Sequence, residues 1–145
     1  MLRVMMEKPA VLYACEPDLP VSEFAQVLRE SGLDAIRPVD DEARLQRMIA
    51  GAGLVMTARR NVEGKPLVGV ARSVTDFSWC AYLSDLAVSS KAQGLGIGQG
   101  LIDATRRELG PEVSLMLASV PDAVGFYERI GMNRISDAFW HGRER

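Results

Sequence analysis

The sequence predicts a single domain of the α/β class, in the α+β arrangement, and three observations support this prediction. Segments with apolar residues at helical spacing alternate with short apolar runs that are typical of strands. One such run leads through a glycine-rich turn into a helical segment. The 145 residues are enough to bury a core, and they contain no repeat, low-complexity tract or linker. We therefore predict one domain over residues 1–145.

The composition excludes several functional classes. Hydrophobic residues make up 48% of the chain, and 17 basic against 19 acidic residues give a net charge of −2. This balance indicates neither a nucleic-acid partner nor a membrane partner. Cys15 and Cys80 have no paired spacing, and His141 is the single histidine, so we expect no metal site and reduced thiols in a cytoplasm. The charged residues before Leu12–Cys15 argue against a signal peptide, and no run is long enough to span a bilayer.

The N-terminal half predicts a strand and two helices. The strand is expected within residues 1–15, bent near Pro9. Ser22 is the predicted N-cap of a helix that ends before Gly32. Asp40 or Asp41 opens the second helix, whose apolar stripe is formed by Leu45, Met48 and Ile49.

Strands and turns then follow in close succession. The expected strands, in order, lie at 54–58, 67–74 and 82–88, with turns at 61–66 and 75–78. Glycines stand at positions 94, 96, 98 and 100, before a helix that ends at Gly110. A glycine loop that opens a helix leaves the first N–H groups unpaired, and with the helix dipole these groups form an anion site.

The spacing of the glycines indicates which of the known phosphate-binding motifs this loop resembles. The dinucleotide fingerprint needs glycines at offsets 0, 2 and 5, which no start position here supplies, and the P-loop needs a lysine that is absent. The segment Gln93–Gly98 reads Gln-x-x-Gly-x-Gly, which resembles the acetyl-coenzyme A loop of the GNAT superfamily of N-acetyltransferases. The alternative is a glycine turn that serves only close packing of helix and strand.

A second segment carries the same resemblance. Pro121–Met132 is similar to the family signature Ala-x-x-hydrophobic-Tyr-x-x-hydrophobic-Gly-Phe, with Tyr127 at the tyrosine. The segment predicts a short helix ending at Gly131, preceded by a strand within 112–119 and followed by one at 134–140. The resemblance covers roughly residues 54–132, and it implies a mixed, mostly antiparallel sheet flanked by helices.

The resemblance also implies a co-substrate and its binding residues. Acetyl-coenzyme A would lay its pantetheine arm along the strand that precedes the loop, at Leu86, Ala87 and Val88. Its pyrophosphate would be held by the loop itself, at Gln93, Gly94, Leu95, Gly96, Ile97, Gly98 and Gln99. Gln93 and Leu95 replace residues that are often basic or polar in the family, so we expect the backbone amides to dominate, with help from Lys91.

Catalytic roles are expected for Tyr127 and Asp85. Tyr127 occupies the family's general-acid position, and the alternative is that it is a core aromatic. Asp85 lies in a strand similar to Glu-Asp-Leu-x-Val, with Ser84 in place of the glutamate. We expect a solvated Asp85 that attracts the substrate ammonium and passes its proton through water, or a structural carboxylate. Arg72 and Asp76 are weaker candidates, and Phe77, Trp79 and Tyr82 form either an acceptor wall, core or a dimer face.

These inferences together predict an enzyme that transfers an acetyl group from acetyl-coenzyme A to a primary amine of a small molecule or peptide. The alternatives are a non-catalytic coenzyme A-binding module of the same fold and a nucleotide-binding α/β domain, which the glycine spacing disfavours. We also expect a homodimer through the apolar pair Phe139–Trp140, and no nucleic-acid or membrane partner. We expect the N-terminal helices and the loop after residue 74 to shape the binding site for the acceptor amine, and the sequence does not identify that amine.

Overall fold

A computed structural model of the chain describes residues 8–145, and within them five strands form one mixed sheet between two layers of helices. The strands are β1 Val11–Cys15, β2 Leu54–Arg60, β3 Leu67–Thr75, β4 Cys80–Val88 and β5 Ser114–Met116. The α-helices are α1 Val21–Ser31, α2 Glu42–Ala50, α3 Ile97–Leu109 and α4 Val124–Arg129. The spatial order follows the chain, β1-β2-β3-β4-β5, and all pairs are antiparallel except the parallel pair β4–β5. The predicted α+β class is confirmed.

The helix boundaries show which capping predictions were right. Asp41 is the N-cap of α2, and its carboxylate accepts a hydrogen bond of 3.0 Å from the Arg44 amide. The predicted cap at Ser22 was wrong, because α1 begins one residue earlier, after Pro20, and has no side-chain cap. Gly32 follows the end of α1, as predicted, and it adopts the left-handed conformation.

The core is divided between the two faces of the sheet. On one face, α3 buries Ile97, Leu101 and Ile102 against Met56 and Leu83. On the other face, the helices α1 and α2 bury their apolar stripes against β2, β3 and β4, through Phe24, Leu28, Leu45, Ile49, Val55, Val70 and Ala87. Each such aliphatic or aromatic side chain contributes about 1.5–3 kcal/mol when it is fully buried. The sheet is therefore held rigidly between the helices, and this fixes the position of β4.

Two glycines, one on β3 and one on α3, leave room for α3 to pack against the sheet. A Cβ at Gly69 would lie 2.9 Å from Ile97 Cγ2 and 3.0 Å from Leu101 Cδ1. A Cβ at Gly100 would lie 2.1 Å from the Tyr13 hydroxyl oxygen. These contacts fix the first turns of α3, and with them the end of the glycine loop.

Three expectations at the chain's ends need correction or restriction. The predicted first strand is observed as β1, and residues 1–7 of that prediction lie outside the described residues. The strand expected within 112–119 is only Ser114–Met116. The strand expected at 134–140 was wrong, because this segment forms no ladder within the described part of the chain and leaves Phe139 94% and Trp140 66% exposed. Apolar residues in a short segment make a strand only where a neighbouring strand pairs with them.

Within residues 8–145, no helix combines the length and the apolar character needed to cross a membrane.

Candidate active site

The strand β4 has a partner on one side along its length and on the other side only at its beginning. It pairs with β3 from Ala81 to Val88, whereas β5 pairs only with Cys80–Tyr82. After Tyr82, therefore, the edge of β4 that faces β5 is open in the described part of the chain. An open strand edge offers backbone N–H and C=O groups to a ligand that lies along it. The predicted binding residues Leu86, Ala87 and Val88 all lie on this open stretch.

A bulge interrupts β4 where the open stretch begins. Arg72 pairs with Asp85 and Ser73 pairs with Leu83, so Ser84 is an extra residue with no direct partner on β3. The extra residue changes which face the side chains occupy. Leu83 joins the core under α3, whereas Ala87 joins the core under α1 and α2. The bulge therefore re-aims the strand within the region where the open edge is available.

The glycine loop continues from the open edge of β4. Ser89 Oγ accepts a hydrogen bond from the Lys91 amide and starts a short 3₁₀ turn, Ser90–Ala92. Gly94 and Gly96 have φ of +79° and +68°, values that favour glycine. A Cβ at either glycine would have no atom within 4 Å, so the space above the loop is open.

Gly96 is the N-cap of α3 and makes no side-chain cap. The first amides of α3 therefore have no intrahelical acceptor, and they lie at the positive end of the helix dipole. Gln93 and Leu95 are exposed, whereas Ile97 is buried in the core. The loop can bind an anion through its backbone while one of its side chains anchors it to the sheet. Lys91, expected to assist, instead pairs with Glu30 at 3.2 Å and is itself largely exposed.

Tyr127 is linked to this loop through packing. Its ring lies 5.1 Å from that of Phe126, in an edge-to-face arrangement. The Phe126 ring in turn lies over Gly98, where a Cβ would be 3.0 Å from Cζ. Helix α4 ends at Arg129 with Ile130 as its C-cap, and Gly131 follows with a φ of +90°. Burial raises the pKa of the Tyr127 phenol above its ordinary value of 10.0.

Asp85 is not solvated, so the expectation of a solvated carboxylate is corrected, whereas the alternative of a structural carboxylate agrees with its surroundings. Its side chain is fully buried, and each of its two oxygens accepts a hydrogen bond from an arginine. Arg37 Nε binds Oδ1, and Arg72 Nε binds Oδ2. Asp85 therefore has neither the solvent access nor the free oxygen that a direct contact with an amine requires.

The remaining candidates lie apart from this cluster or serve the turn that joins β3 and β4. Asp76 accepts hydrogen bonds from the amides of Ser78, Trp79 and Cys80, and these bonds hold the pKa of its carboxyl below the ordinary value. Phe77 and Trp79 are exposed on this same turn, and Trp79 is 76% exposed. Tyr82 is half-buried on β4. Asp76 thus acts as a turn residue.

Two features of the site were missed by the sequence analysis. Arg37 has no local signal, because its partners Ser84 and Asp85 lie 47 and 48 positions further along the chain. The bulge at Ser84 also lacks a local signal, since only its pairing with β3 reveals it. Gly69 did carry a signal, because a glycine inside a strand often marks the close approach of another backbone.

No group of three or more metal-binding side chains is found among the residues that the structure describes.

The comparisons with known proteins agree with this geometry. The family model described as an acetyltransferase (GNAT) domain matches residues 24–141. An N-acetyltransferase of Porphyra purpurea, itself uncharacterised, is 28% identical over 96 residues, which are 62% of this chain and 55% of that protein. A corresponding protein of Pyropia yezoensis is 34% identical over 83 residues, 53% of this chain and 48% of its own length. The chain thus spans about half the length of the curated relatives it matches.

Solved structures share the whole fold at low sequence identity. A GNAT-family acetyltransferase from Streptococcus pneumoniae superposes with a TM-score of 0.66 at 19% identity, covering 92% of this chain and 99% of its own. An aminoglycoside N-acetyltransferase in complex with coenzyme A superposes with a TM-score of 0.71 at 11% identity, covering 98% and 100%. Together with the match of the family model over most of the chain, the open edge of β4 and the glycine loop lead to one conclusion: the chain belongs to the GNAT acetyltransferase family.

Proposed function

We propose that this chain transfers an acetyl group from acetyl-coenzyme A to a primary amine of a small molecule or peptide. The observation that carries the proposal is the open edge of β4, which leads directly into an unfilled glycine loop at the start of α3. A thioester with an amide-containing arm and a pyrophosphate has the two chemical features that such a surface binds. Membership of the family supports acetyl-coenzyme A as the donor.

The donor would bind mainly through the protein backbone. In the proposal, the pantetheine arm adds to β4 at Leu86, Ala87 and Val88 like a further strand. The pyrophosphate lies on the amides of Gly94–Gln99, where the helix dipole favours negative charge. Since Gln93 and Leu95 bring no positive charge, affinity should depend on the loop conformation more than on side chains.

The reaction needs three proton and charge movements. The amine nitrogen attacks the thioester carbonyl carbon, and the carbonyl oxygen takes up negative charge that amides of β4 can stabilise. The C–S bond then breaks, the thiolate leaves, and the nitrogen loses its extra proton to water. An alkyl ammonium has a pKa of about 10.4, so most of the substrate must first lose a proton at neutral pH.

Tyr127 is proposed as the group that gives a proton to the departing thiolate. Burial raises the pKa of its phenol, so the hydroxyl stays protonated at neutral pH. A thiol has a pKa of about 8.5, at least about 1.5 units below that of the phenol. Complete transfer is therefore uphill by about 2 kcal/mol, a small part of a typical barrier. In the proposal, the phenol donates a hydrogen bond to the sulfur as charge develops and then passes its proton to the thiolate, and the resulting phenolate regains a proton from water.

The test is acetyl transfer over a panel of amines. The panel should contain peptide N-termini, polyamines, aminoglycosides and small primary amines, with release of the free coenzyme A thiol as the readout. We expect turnover with at least one class, and the acetylated amine should be identified by mass spectrometry.

Calorimetry with coenzyme A, NAD and ATP completes the test. Binding of coenzyme A without turnover on any amine would favour the non-catalytic module, and binding of NAD or ATP in its place would overturn the proposal.

For the whole molecule, we propose a homodimer that is located in the cytoplasm.

A further inference from the structure

We infer that Arg37, Asp85 and Arg72 act as a clamp that holds the Ser84 bulge of β4 in register, so that Asp85 is a positioning residue for acetyl transfer. The inference rests on the proposed function, because it concerns the amides of β4 that would hold the thioester. It assigns Asp85 a role different from proton transfer, and it assigns a role to Arg37, which no local sequence pattern indicates.

The charges of the clamp argue against contact with the amine. Asp85 is fully buried and both of its oxygens are occupied by arginines. Two guanidinium groups around one carboxylate leave a net charge of +1. Such a cluster repels an ammonium ion, and it offers a substrate no free carboxylate oxygen. The buried charge is instead satisfied by the protein, as a buried carboxylate must be.

Arg37 satisfies the bulge directly. A bulge leaves backbone groups without a ladder partner, and the Ser84 carbonyl accepts a hydrogen bond of 2.7 Å from Arg37 Nη2. The same guanidinium binds Asp85 through Nε and the Ile36 carbonyl through Nη1. Arg37 therefore connects the segment between α1 and α2 to the extra residue of β4. A planar guanidinium suits this double contact, whereas a lysine ammonium donates from a single point.

Arg72 fastens the clamp from the other side. Its Nη2 donates to Ser84 Oγ at 3.0 Å, and its Nη1 donates to the Met48 carbonyl at 3.2 Å. That carbonyl lies in the last turn of α2, where helix C=O groups lack intrahelical partners. The bulge is thus tied to α2 as well as to the segment at Arg37.

The register of β4 explains why the contacts of Arg37 and Arg72 with the bulge matter for the reaction. A shift of one residue moves every side chain of a strand to its opposite face, and the backbone groups of the two edges exchange in the same way. The bulge sits at Ser84, two positions before the proposed donor-binding stretch Leu86–Val88. The clamp therefore determines which amides face the open edge, where the thioester oxyanion would form.

The decisive variant is Arg37→Lys, which keeps the charge and loses the double contact. We expect kcat to fall at least tenfold, because a misplaced oxyanion donor costs on the order of 100- to 1,000-fold when it is lost completely. The Kd for acetyl-coenzyme A should rise by a smaller factor than kcat falls, because the glycine loop that would hold the pyrophosphate is untouched. Hydrogen exchange of the amides at 84–88 should become faster. Ser84→Ala, which removes only the contact with Arg72 and is expected to fold, should lower kcat by a smaller factor.

Arg59→Lys is the matched control. Arg59 is 19% exposed against 22% for Arg37, and it also binds carboxylates, those of Glu16 and Glu23. We expect this variant to lower the melting temperature to a similar extent and to leave both kcat and exchange at 84–88 unchanged.

Two results would overturn the inference that the clamp positions β4 for acetyl transfer. One is an Arg37→Lys variant with kcat within twofold of wild type and unchanged exchange at 84–88. The other is a large loss of kcat in Asp85→Asn alone, with Arg37→Lys and Ser84→Ala like wild type, which would return a catalytic role to Asp85. If the wild-type protein transfers acetyl to no amine, the proposed function fails. The exchange measurement on folded Arg37→Lys and Ser84→Ala then still decides the clamp.

Discussion

At the scale of single residues, burial separates Tyr127 from Asp85. Tyr127 is half-buried, and the loss of solvent raises the pKa of its phenol. Asp85 is fully buried, and its charge is compensated by two arginines. A phenol is neutral when protonated, so it can remain without an ionic partner, whereas a carboxylate in the same interior needs one. The two residues therefore suit different tasks.

Replacement of Tyr127 by Phe tests the proposed proton transfer. The change removes one hydroxyl and keeps the ring that packs on Phe126. General acid catalysis contributes about 100- to 10,000-fold, so we expect kcat to fall at least tenfold. The KM for acetyl-coenzyme A and the melting temperature should change little. In the wild type, activity should fall only above pH 10, because the pKa of the phenol is raised, and this decline should weaken in the variant.

Tyr13→Phe is the control for the loss of a phenol hydroxyl. Tyr13 packs against Gly100 in α3 and is not part of the proposed site. Kinetics in which Tyr127→Phe and Tyr13→Phe both stay within twofold of wild type would assign Tyr127 to packing.

At the scale of elements, the loop before α3 joins glycines of positive φ to a side chain anchored in the core. Gly94 and Gly96 adopt positive φ with open space around them, while Ile97 is 2% exposed in the core. The loop conformation is thus set by the packing of α3 rather than by contacts of the loop itself. A preformed loop loses little entropy when the donor binds.

Gly96→Asp should abolish binding of acetyl-coenzyme A. The substitution strains a residue at φ +68° and brings a carboxylate to a site built for phosphate. We expect the Kd from calorimetry to rise at least 100-fold, with the fold retained by circular dichroism.

Gly64→Asp carries the same backbone strain at a remote turn. Its φ is +81°, and a Cβ there would also have no atom within 4 Å. This control should lose similar stability and bind acetyl-coenzyme A normally. If both variants bind acetyl-coenzyme A with the same affinity, the loop at Gly96 is not part of the donor site.

A second element-scale prediction concerns the contacts that join β2 to β1 and α1. Arg59 donates to Glu16 at 2.9 and 3.0 Å and to Glu23 at 2.7 Å. The hydrogen bonds from Arg59 are the largest cause that lowers the pKa of Glu16 below 4.5. A carboxyl with a lowered folded pKa stabilises the fold above its unfolded pKa, and this contribution is lost as the pH falls through the folded pKa.

Glu16→Gln should therefore flatten the acid side of the stability curve. The free energy of unfolding, measured with urea from pH 7 to pH 3, should decrease less steeply below pH 4.5 than in the wild type. An identical slope in both proteins would show that Glu16 contributes nothing to acid stability.

At the scale of the whole molecule, apolar side chains remain on the surface at the C-terminal end. Phe139 and Trp140 are 94% and 66% exposed, and the segment that holds them forms no ladder in the described part of the chain. Exposed aromatic residues of this size are typical of interaction surfaces. They are the basis for the predicted homodimer.

The dimer prediction is tested by light scattering at micromolar concentration. We expect twice the mass of the chain for the wild type and the single mass for the double variant Phe139→Ser, Trp140→Ser. Trp79→Ser removes an equally exposed aromatic on the β3–β4 turn, and it should leave the dimer intact. A monomeric wild type at this concentration would contradict the prediction.

The sequence by itself determined the features that depend on neighbouring residues. The strand before the loop, the glycine turn that opens α3, an N-cap aspartate of α2 at 40 or 41 and the short helix that carries Tyr127 all follow from residues a few positions apart. Local backbone preferences and hydrogen bonds act over this range, so the spacing of residue types is sufficient to predict them.

Only the tertiary structure decided the environment of Asp85, the bulge at Ser84 and, within the residues that the structure describes, the absence of a strand at 134–140. The two arginines of Asp85 lie 13 and 48 positions away, and a bulge exists only relative to the strand beside it. The burial and the charge balance of a side chain depend on which distant elements pack over it. Pairing in a sheet likewise depends on a neighbour that local spacing does not specify.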